Sequence, residues 1–149
     1  MYIHFTNGSN NYNVTYNYDE KSNSYLRGYE GNSGKHLIFT CKNQSKSGSK
    51  IRPQKDCGGQ TQVAPKVIVV IKVDEKLNQD NHYREDIVTT GTGEATIFQN
   101  GDVIKGTWTK KTNKDQLEFK DEKGKTIKLA PGQTFIEAIA KSYGYVKYQ

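Results

Sequence analysis

The residue types that most often transfer protons are represented in this 149-residue chain by 3 histidines and 16 aspartates and glutamates. Acid–base catalysis needs a donor and an acceptor held near the reacting atoms, and His, Asp and Glu serve most often. Four residues are candidates for such roles: His36, His82, Asp86 and Glu94. Glycoside hydrolysis would also need two carboxylates at a defined separation, which a sequence does not give. No compact catalytic set is indicated, and we predict no metal site and no cofactor.

The stretch GEATIFQNGDVIKGTW, residues 93–108, could be a glycine-rich active-site loop or a hairpin. Asn100-Gly101 tolerates positive φ at both central positions of a type I′ turn, whereas a phosphate-binding loop places its glycines between a strand and a helix. The hairpin is the better interpretation. Its register sets Ile97 opposite Ile104, Ala95 opposite Gly106, and Gly93 opposite Trp108. We therefore predict structural roles for Asn100, Gly101, Gly106 and Trp108.

A second hairpin is predicted further along the chain, with the loop Glu122-Lys123-Gly124. Gly124 would take the left-handed position of a three-residue turn with a bulge, which is a further structural role. This loop length sets Phe119 opposite Ile127 and keeps both apolar residues on one face.

Alternation of apolar and polar residues predicts most of the remaining elements. Strands are expected at 12–18, 24–29, 36–40, 66–73 and 83–90, with a polar loop at 74–82. Residues 133–140 fit a strand or a short helix, and the extension 141–149 fits an edge strand or a frayed tail. The fold class is all-β, or mainly β with one short helix. We predict a single domain, residues 1–149, forming an antiparallel sandwich or partly open barrel of about ten short strands.

The two cysteines, Cys41 and Cys57, enclose a polar loop of residues 41–57 without the paired spacing of zinc or redox sites. A disulfide closing this loop would stabilise the fold by about 3 kcal/mol and would indicate an oxidising compartment. A lone catalytic thiol at Cys57 is the other interpretation.

The net charge of +6 comes mostly from lysine, since only three of the 22 cations are arginines. Lysine is a hydrated point charge, so this surface favours loose attraction to anionic polymers over readout of nucleic acid. Candidate binding lysines are Lys46, Lys50, Lys55, Lys110, Lys111 and Lys114. Tyr25 and Arg27 could clamp a ligand, although an arginine between Tyr25 and Tyr29 in a strand more often packs its stem on rings and pairs its head.

The order of these motifs resembles the C-terminal domain of the YerB-type lipoprotein family, whose function is unknown. The resemblance rests on GTGEATIFQNGDVIKGTW from Gly91 and on LEFKDEKGKTIKLAPGQTFIEAI after it, and it extends upstream to Tyr16. Phe135 stands where the family usually has Trp, and the family usually lacks the insertion 41–57. The resemblance implies an extracytoplasmic Gram-positive cell-envelope setting, with a lipid anchor and an N-terminal domain missing from this chain. It supplies no catalytic residues.

The sequence is compatible with three functions. The first is a non-catalytic envelope module that binds another protein or an anionic envelope polymer. A cell-wall-acting enzyme of unknown reaction is the alternative. Nucleic-acid binding is the third, because tyrosine-bearing strands can stack bases, but arginine is scarce and the strand YNVTYNY carries no basic residue.

Overall fold

The computed structural model describes residues 2–6, 13–30, 34–39, 59–77 and 85–149. These residues form twelve strands and contain no helix, so none of them belongs to a helix that could cross a membrane. The strands are β1 (Tyr2–Thr6), β2 (Val14–Asp19), β3 (Ser24–Tyr29), β4 (Leu37–Phe39), β5 (Gln60–Gln62), β6 (Val67–Leu77), β7 (Glu85–Val88), β8 (Gly91–Gln99), β9 (Asp102–Lys110), β10 (Glu118–Asp121), β11 (Thr134–Ala140) and β12 (Tyr145–Tyr148). The all-β prediction is confirmed.

Two sheets pack face to face, and a short pair lies beside them. The N-terminal sheet has the order β12-β1-β2-β3. The six-stranded sheet has the order β10-β9-β8-β6-β11, with β7 also paired to β6. The pair β4-β5 completes the described strands. This arrangement is an open sandwich rather than a closed barrel.

Both predicted hairpins are present in the predicted register. Asn100 and Gly101 have φ of 55° and 79°, as a type I′ turn requires, and Ile97 pairs with Ile104. In the second hairpin Gly124 has φ of 79°, and the amide of Ile127 donates to the carbonyl of Phe119. Turn chemistry therefore determines the register at both sites.

One strand pairing departs from the antiparallel prediction. Residues 134–140 form a strand, not a helix, and β11 runs parallel to β6 from Thr134↔Val67 to Ala140↔Val73. Alternation of side chains is the same in parallel and antiparallel strands, so the pattern does not reveal direction.

The strand β6 is central, as its apolar run predicts, but it is longer than expected. Residues 67–71 and Val73 are buried between β8 and β11. Asp74 to Leu77, predicted as loop, continue the strand and pair with β7. The prediction was wrong there because the polar side chains lie on a part of the sheet that water reaches.

The six-stranded sheet buries side chains on both of its faces. The face toward the N-terminal sheet packs Ile68, Val70 and Phe98 against Tyr16 and Tyr25. The other face packs Val67, Val69, Ile71, Val73, Ala95, Ile97, Trp108 and Phe119 under residues 117–130. The hairpin register puts Phe98 on the same face as the polar Glu94 and Thr96, yet the N-terminal sheet buries Phe98 fully.

The C-terminal residues join the fold instead of fraying. β12 pairs with β1, as in Phe5↔Val146, and so forms an edge of the N-terminal sheet. At the other edge, the amides of Tyr25 and Arg27 donate to the carbonyls of Pro65 and Val63. The predicted loop 41–57 lies outside the described residues, and its place in a single domain stays a prediction.

Candidate functional site

The guanidinium of Arg27 is the centre of a buried polar cluster. Its Nε donates to the hydroxyl of Tyr16 at 3.0 Å, and Nη1 donates to the hydroxyl of Tyr29 at 2.9 Å. The same guanidinium lies 4.7 Å from the ring centroid of Phe135 and 5.0 Å from that of Tyr29. Arg27 is only 7% exposed. Its stem and head are therefore packed and paired, as the flanking tyrosines indicate.

Glu137 supplies the carboxylate of this cluster from the facing sheet. The hydroxyl of Tyr16 donates to Glu137 Oε1 at 2.7 Å, and Arg27 Nη2 lies 3.4 Å from the same oxygen. The strand β11 sets Glu137 opposite Val70, on the side that carries the buried Ile139. Burial and the nearby carboxylate raise the pKa of Tyr16 well above its usual range, so this hydroxyl stays protonated and donates.

His36 closes the cluster on the side of β3. Its Nδ1 lies 2.6 Å from Arg27 Nη1, and because a guanidinium can only donate, Nδ1 is the acceptor. Burial, together with the charge of Arg27, lowers the pKa of His36. A neutral imidazole with its proton on Nε2 fits both observations. We name these six side chains the Arg27 cluster: Arg27, Tyr16, Tyr29, His36, Phe135 and Glu137.

A groove lies between β12 and the six-stranded sheet, on the face that carries Phe98, where the N-terminal sheet leaves part of that face uncovered. It has a volume of about 460 Å³. The cross-strand pairs Glu94↔Thr107 and Thr96↔Lys105, which the hairpin register predicts for this face, form its floor. We call it the β12 groove. Its side chains are Lys72, Glu94, Thr96, Lys105, Thr107, Glu122, Tyr145, Val146 and Tyr148.

The charges of the β12 groove balance one another. Lys72 Nζ lies 2.8 Å from Glu94 Oε2, and this hydrogen bond lowers the pKa of Glu94. Lys105 and Glu122 add one charge of each sign to the lining. The groove thus presents donors and acceptors without a net formal charge.

Two tyrosines of β12 line the groove, and Tyr148 forms its wall. Tyr148 is 40% exposed, and its ring meets Phe98 edge-on with centroids 5.4 Å apart. Tyr145 is 41% exposed, with the ammonium of Lys147 at 5.2 Å from its centroid. The contact with the buried Phe98 fixes the orientation of Tyr148 before any ligand arrives.

The structure separates the candidate acid–base residues. His36 belongs to the Arg27 cluster, whereas Glu94 pairs with Lys72 in the β12 groove. Asp86 is exposed on β7. His82 lies outside the described residues. Within the described residues no group of three His, Cys, Asp or Glu side chains is arranged to hold a metal ion.

The candidate binding residues also divide between core and surface. Tyr25 is fully buried, and its hydroxyl accepts from the amide of Gly101 at 3.1 Å, so its ring is not presented at the surface. Lys110 is half-buried, and Lys111 and Lys114 are exposed beyond β9. Ligand roles for these residues and for Arg27 stay predictions. Lys46, Lys50, Lys55, Cys41 and Cys57 lie outside the described residues, as does the predicted disulfide.

Close neighbours explain why the first hairpin needs glycine at two positions. A side chain at Gly93 would begin 2.6 Å from Trp108 Nε1, and one at Gly106 would begin 2.0 Å from the carbonyl oxygen of Lys120. Trp108 also donates from Nε1 to the carbonyl of Lys72 at 3.0 Å, a contact that the hairpin register alone does not predict.

Sequence reasoning missed Glu137, Tyr145 and Tyr148. Glu137 did carry a signal, since it interrupts the apolar side of the strand TFIEAIA between Phe135 and Ile139. A carboxylate on the buried side of a strand needs a partner of opposite charge. The two groove tyrosines had no comparable signal, because they line the groove only after β12 pairs with β1.

Comparisons with known proteins agree with this fold. The structure is similar to the crystal structure of the YerB protein from Bacillus subtilis, with a TM-score of 0.64 and 22% sequence identity. The match covers 99% of this chain and 44% of that one, so the chain spans less than half of that protein's length. No curated protein matches. Residues 2–136 match the family described as "Protein of unknown function (DUF3048) C-terminal domain", and the chain therefore belongs to this family.

Proposed function

We propose that this chain is a non-catalytic module of the cell envelope that binds an anionic envelope polymer. The observation that supports this function is the charge of residues 102–128, which carry eight lysines against five carboxylates and so hold half of the net +6. We call this segment the lysine edge. Its lysines are Lys105, Lys110, Lys111, Lys114, Lys120, Lys123, Lys125 and Lys128, and all but Lys110 are exposed.

The lysine edge comprises β9, the following loop, β10 and its turn, at one end of the six-stranded sheet. An extended polymer can cross several ammonium groups there. Phosphate or carboxylate groups on a flexible chain need no rigid bidentate fork, so lysine suits them. A protein with an acidic surface would be attracted to the same edge.

The state of the candidate catalytic residues favours binding over catalysis. His36 is engaged by Arg27, and Glu94 is engaged by Lys72, in separate parts of the fold. An acid and a base that act on one bond must reach the same substrate atoms. This is why we propose no reaction for the chain.

The proposed setting is extracytoplasmic, in agreement with the resemblance to YerB-type lipoproteins. Membrane association through a lipid anchor, which the resemblance implies, belongs to the same proposal. A disulfide between Cys41 and Cys57 belongs to the same proposal, because disulfides persist in oxidising compartments. A mass measurement without reductant, which would find two hydrogens fewer, tests it.

Binding of soluble polyglycerol phosphate, followed by biolayer interferometry, tests the proposed function. The triple variant K111E/K114E/K123E in the lysine edge should weaken binding about tenfold or more, since attraction becomes repulsion. The matched control K21E/K35E/K76E changes three exposed lysines elsewhere by the same total charge and should have a much smaller effect. Binding should also weaken as salt rises from about 0.05 M to about 0.5 M.

Two results would contradict the lysine edge as the site. Equal losses in the two triple variants would mean that only net charge matters. Binding that persists unchanged at high salt would mean that the polymer is not held by charge. Tight binding of an acidic protein together with no binding of the polymer would replace the polymer with a protein partner.

A further inference from the structure

We propose that the β12 groove is a second binding site, for a neutral saccharide. The proposal goes beyond the lysine edge, because it concerns another ligand chemistry and a groove whose lining includes only Lys105 among the lysines of that edge. It rests on the shape of the groove, on the exposed ring of Tyr148 and on the cancellation of the charges in the lining.

The size of the β12 groove suits a small saccharide segment. Its volume of about 460 Å³ falls within the range of roughly 300–1,000 Å³ typical of small-molecule sites. The floor is made of side chains from β6, β8 and β9, so it is held by the most extensively paired part of the sheet. A rigid floor allows a ligand to bind without ordering a loop first, which reduces the entropic cost.

The ring of Tyr148 gives the groove a surface for a sugar ring. Tyr148 is about two-fifths exposed, and its ring lies on the side of β12 that faces the six-stranded sheet, whereas Tyr145 shares the other side with Lys147. A pyranose ring presents C–H groups on one face, which pack on an aromatic ring, while its hydroxyls point outward from the ring edge. Phe98 holds Tyr148 in place for such contact.

The polar floor matches the hydroxyls of a sugar. Ammonium groups of Lys72 and Lys105 can only donate hydrogen bonds, and the carboxylate of Glu94 can only accept them. The threonines of the floor, Thr96 and Thr107, do both. Hydroxyl groups also donate and accept, so neighbouring sugar hydroxyls can satisfy this mixture.

The balanced charges of the groove favour a neutral ligand over a polyanion. An anion entering the groove would compete with Glu94 for Lys72 at 2.8 Å and would approach Glu122 as well. A neutral saccharide avoids this repulsion and leaves the Lys72–Glu94 pair in place. The groove therefore favours an uncharged sugar unit, in contrast with the lysine edge.

An NMR titration of the ¹⁵N-labelled chain with a neutral N-acetylglucosamine tetrasaccharide tests the proposal. We expect saturable changes in the amide chemical shifts of residues 94–96, 105–107 and 145–148. Saturation should be reached at ligand concentrations up to about 20 mM, because the expected site is a weak one. The affinity should be the same at about 0.05 M and about 0.5 M salt, because no net charge is neutralised.

Substitutions in the groove lining test whether the saccharide binds there. Tyr148→Leu removes the aromatic face but keeps apolar contact with Phe98, and it should weaken binding about tenfold, as loss of an aromatic hot spot does. Thr107→Val in the floor provides a second variant, should the first disturb the fold, because it removes a hydroxyl that would bond to the sugar. Tyr143→Ala is the matched control, since Tyr143 is 51% exposed but does not line the groove, and it should leave the affinity unchanged.

The outcomes also separate this proposal from the lysine edge. The saccharide should bind K111E/K114E/K123E as well as the parent chain, so either site can fail while the other holds. No saturable shift at about 20 mM, or shifts confined to amides outside the groove, would overturn the saccharide site. Equal loss of affinity in Tyr148→Leu, Thr107→Val and Tyr143→Ala would overturn it as well.

Discussion

The guanidinium of Arg27 and the carboxylate of Glu137 lie on facing sheets, with Nη2 and Oε1 3.4 Å apart. Their side chains are 8% and 18% exposed. Tyr16 completes the link, because its hydroxyl accepts from Arg27 and donates to Glu137. This chain of polar contacts fixes how β3 and β11 face one another across an otherwise apolar core.

Glu137→Ala is expected to lower the free energy of unfolding by about 3 kcal/mol, because it leaves the charge of Arg27 buried without its counter-ion. Glu94→Ala breaks the exposed pair with Lys72 and should cost less than about 1 kcal/mol. Urea unfolding followed by the fluorescence of Trp108, the single buried tryptophan, measures both. Similar losses in the two variants would show that the Arg27–Glu137 pair contributes no more than a surface pair.

The imidazole of His36 makes the stability of the fold depend on pH. Its pKa is lowered by burial and by Arg27, with Glu137 opposing, so the unfolded chain takes up a proton at higher pH than the folded one. The stabilisation is complete above the ordinary pKa of about 6.5 and is lost as pH falls from there through the folded pKa. The ring of Tyr29, tilted against the imidazole with centroids 5.3 Å apart, does not change the sign.

His36→Gln keeps a side-chain acceptor for Arg27 but cannot titrate. We expect its urea midpoint to fall less than that of the parent chain between about pH 7 and about pH 5. Equal midpoints in the two proteins at each pH would show that protonation of His36 is not linked to unfolding.

The glycines of the two hairpins serve different physical needs. Gly106→Ala would place a methyl group 2.0 Å from the carbonyl oxygen of Lys120, and separating β9 from β10 should cost about 3 kcal/mol. At Gly124 nothing lies within 4 Å, but φ is 79°, so Gly124→Ala should cost only about 1 kcal/mol of backbone strain. Thermal unfolding of both variants measures the difference.

Asparagine provides a control that separates these two causes. Gly124→Asn should recover most of the loss seen with alanine, because asparagine tolerates left-handed backbone. Gly106→Asn should be no better than Gly106→Ala, because the larger side chain meets the same oxygen. Recovery at both positions would contradict a close contact at Gly106.

The sequence predicts the parts of the fold that depend on neighbouring residues. Asn100-Gly101 and Gly124 impose local backbone conformations, and each sets the register of its own hairpin. The direction of β11 depends instead on a partner, β6, that is distant along the chain. The residues of β11 alone do not indicate its direction, because parallel and antiparallel strands show the same alternation of side chains.

The sequence likewise predicts only part of each candidate site. The flanking tyrosines indicated that Arg27 would be packed and paired, but Phe135 and Glu137 reach it from another sheet. The polar floor of the β12 groove follows from the hairpin register. Its wall does not, since Tyr148 joins it only through the pairing of β12 with β1.

The hydroxyl of Tyr25 links the first hairpin turn to the N-terminal sheet. It is buried, and it accepts a hydrogen bond from the amide of Gly101. Burial raises the pKa of Tyr25 to about 12. The unfolded chain loses this proton near pH 10, so between pH 10 and about 12 the folded state binds more protons and stability falls as pH rises.

Tyr25→Phe separates the hydrogen bond from the ionisation. At pH 7 the variant should be less stable by about 1 kcal/mol, because the amide of Gly101 loses its acceptor. Above pH 10 the parent chain should lose stability faster than the variant, since phenylalanine has no proton to release, and the gap should narrow. Urea midpoints at pH 7, 9, 10 and 11 measure this trend, and a gap that stays constant across the series would show that Tyr25 ionises alike in the folded and unfolded chains.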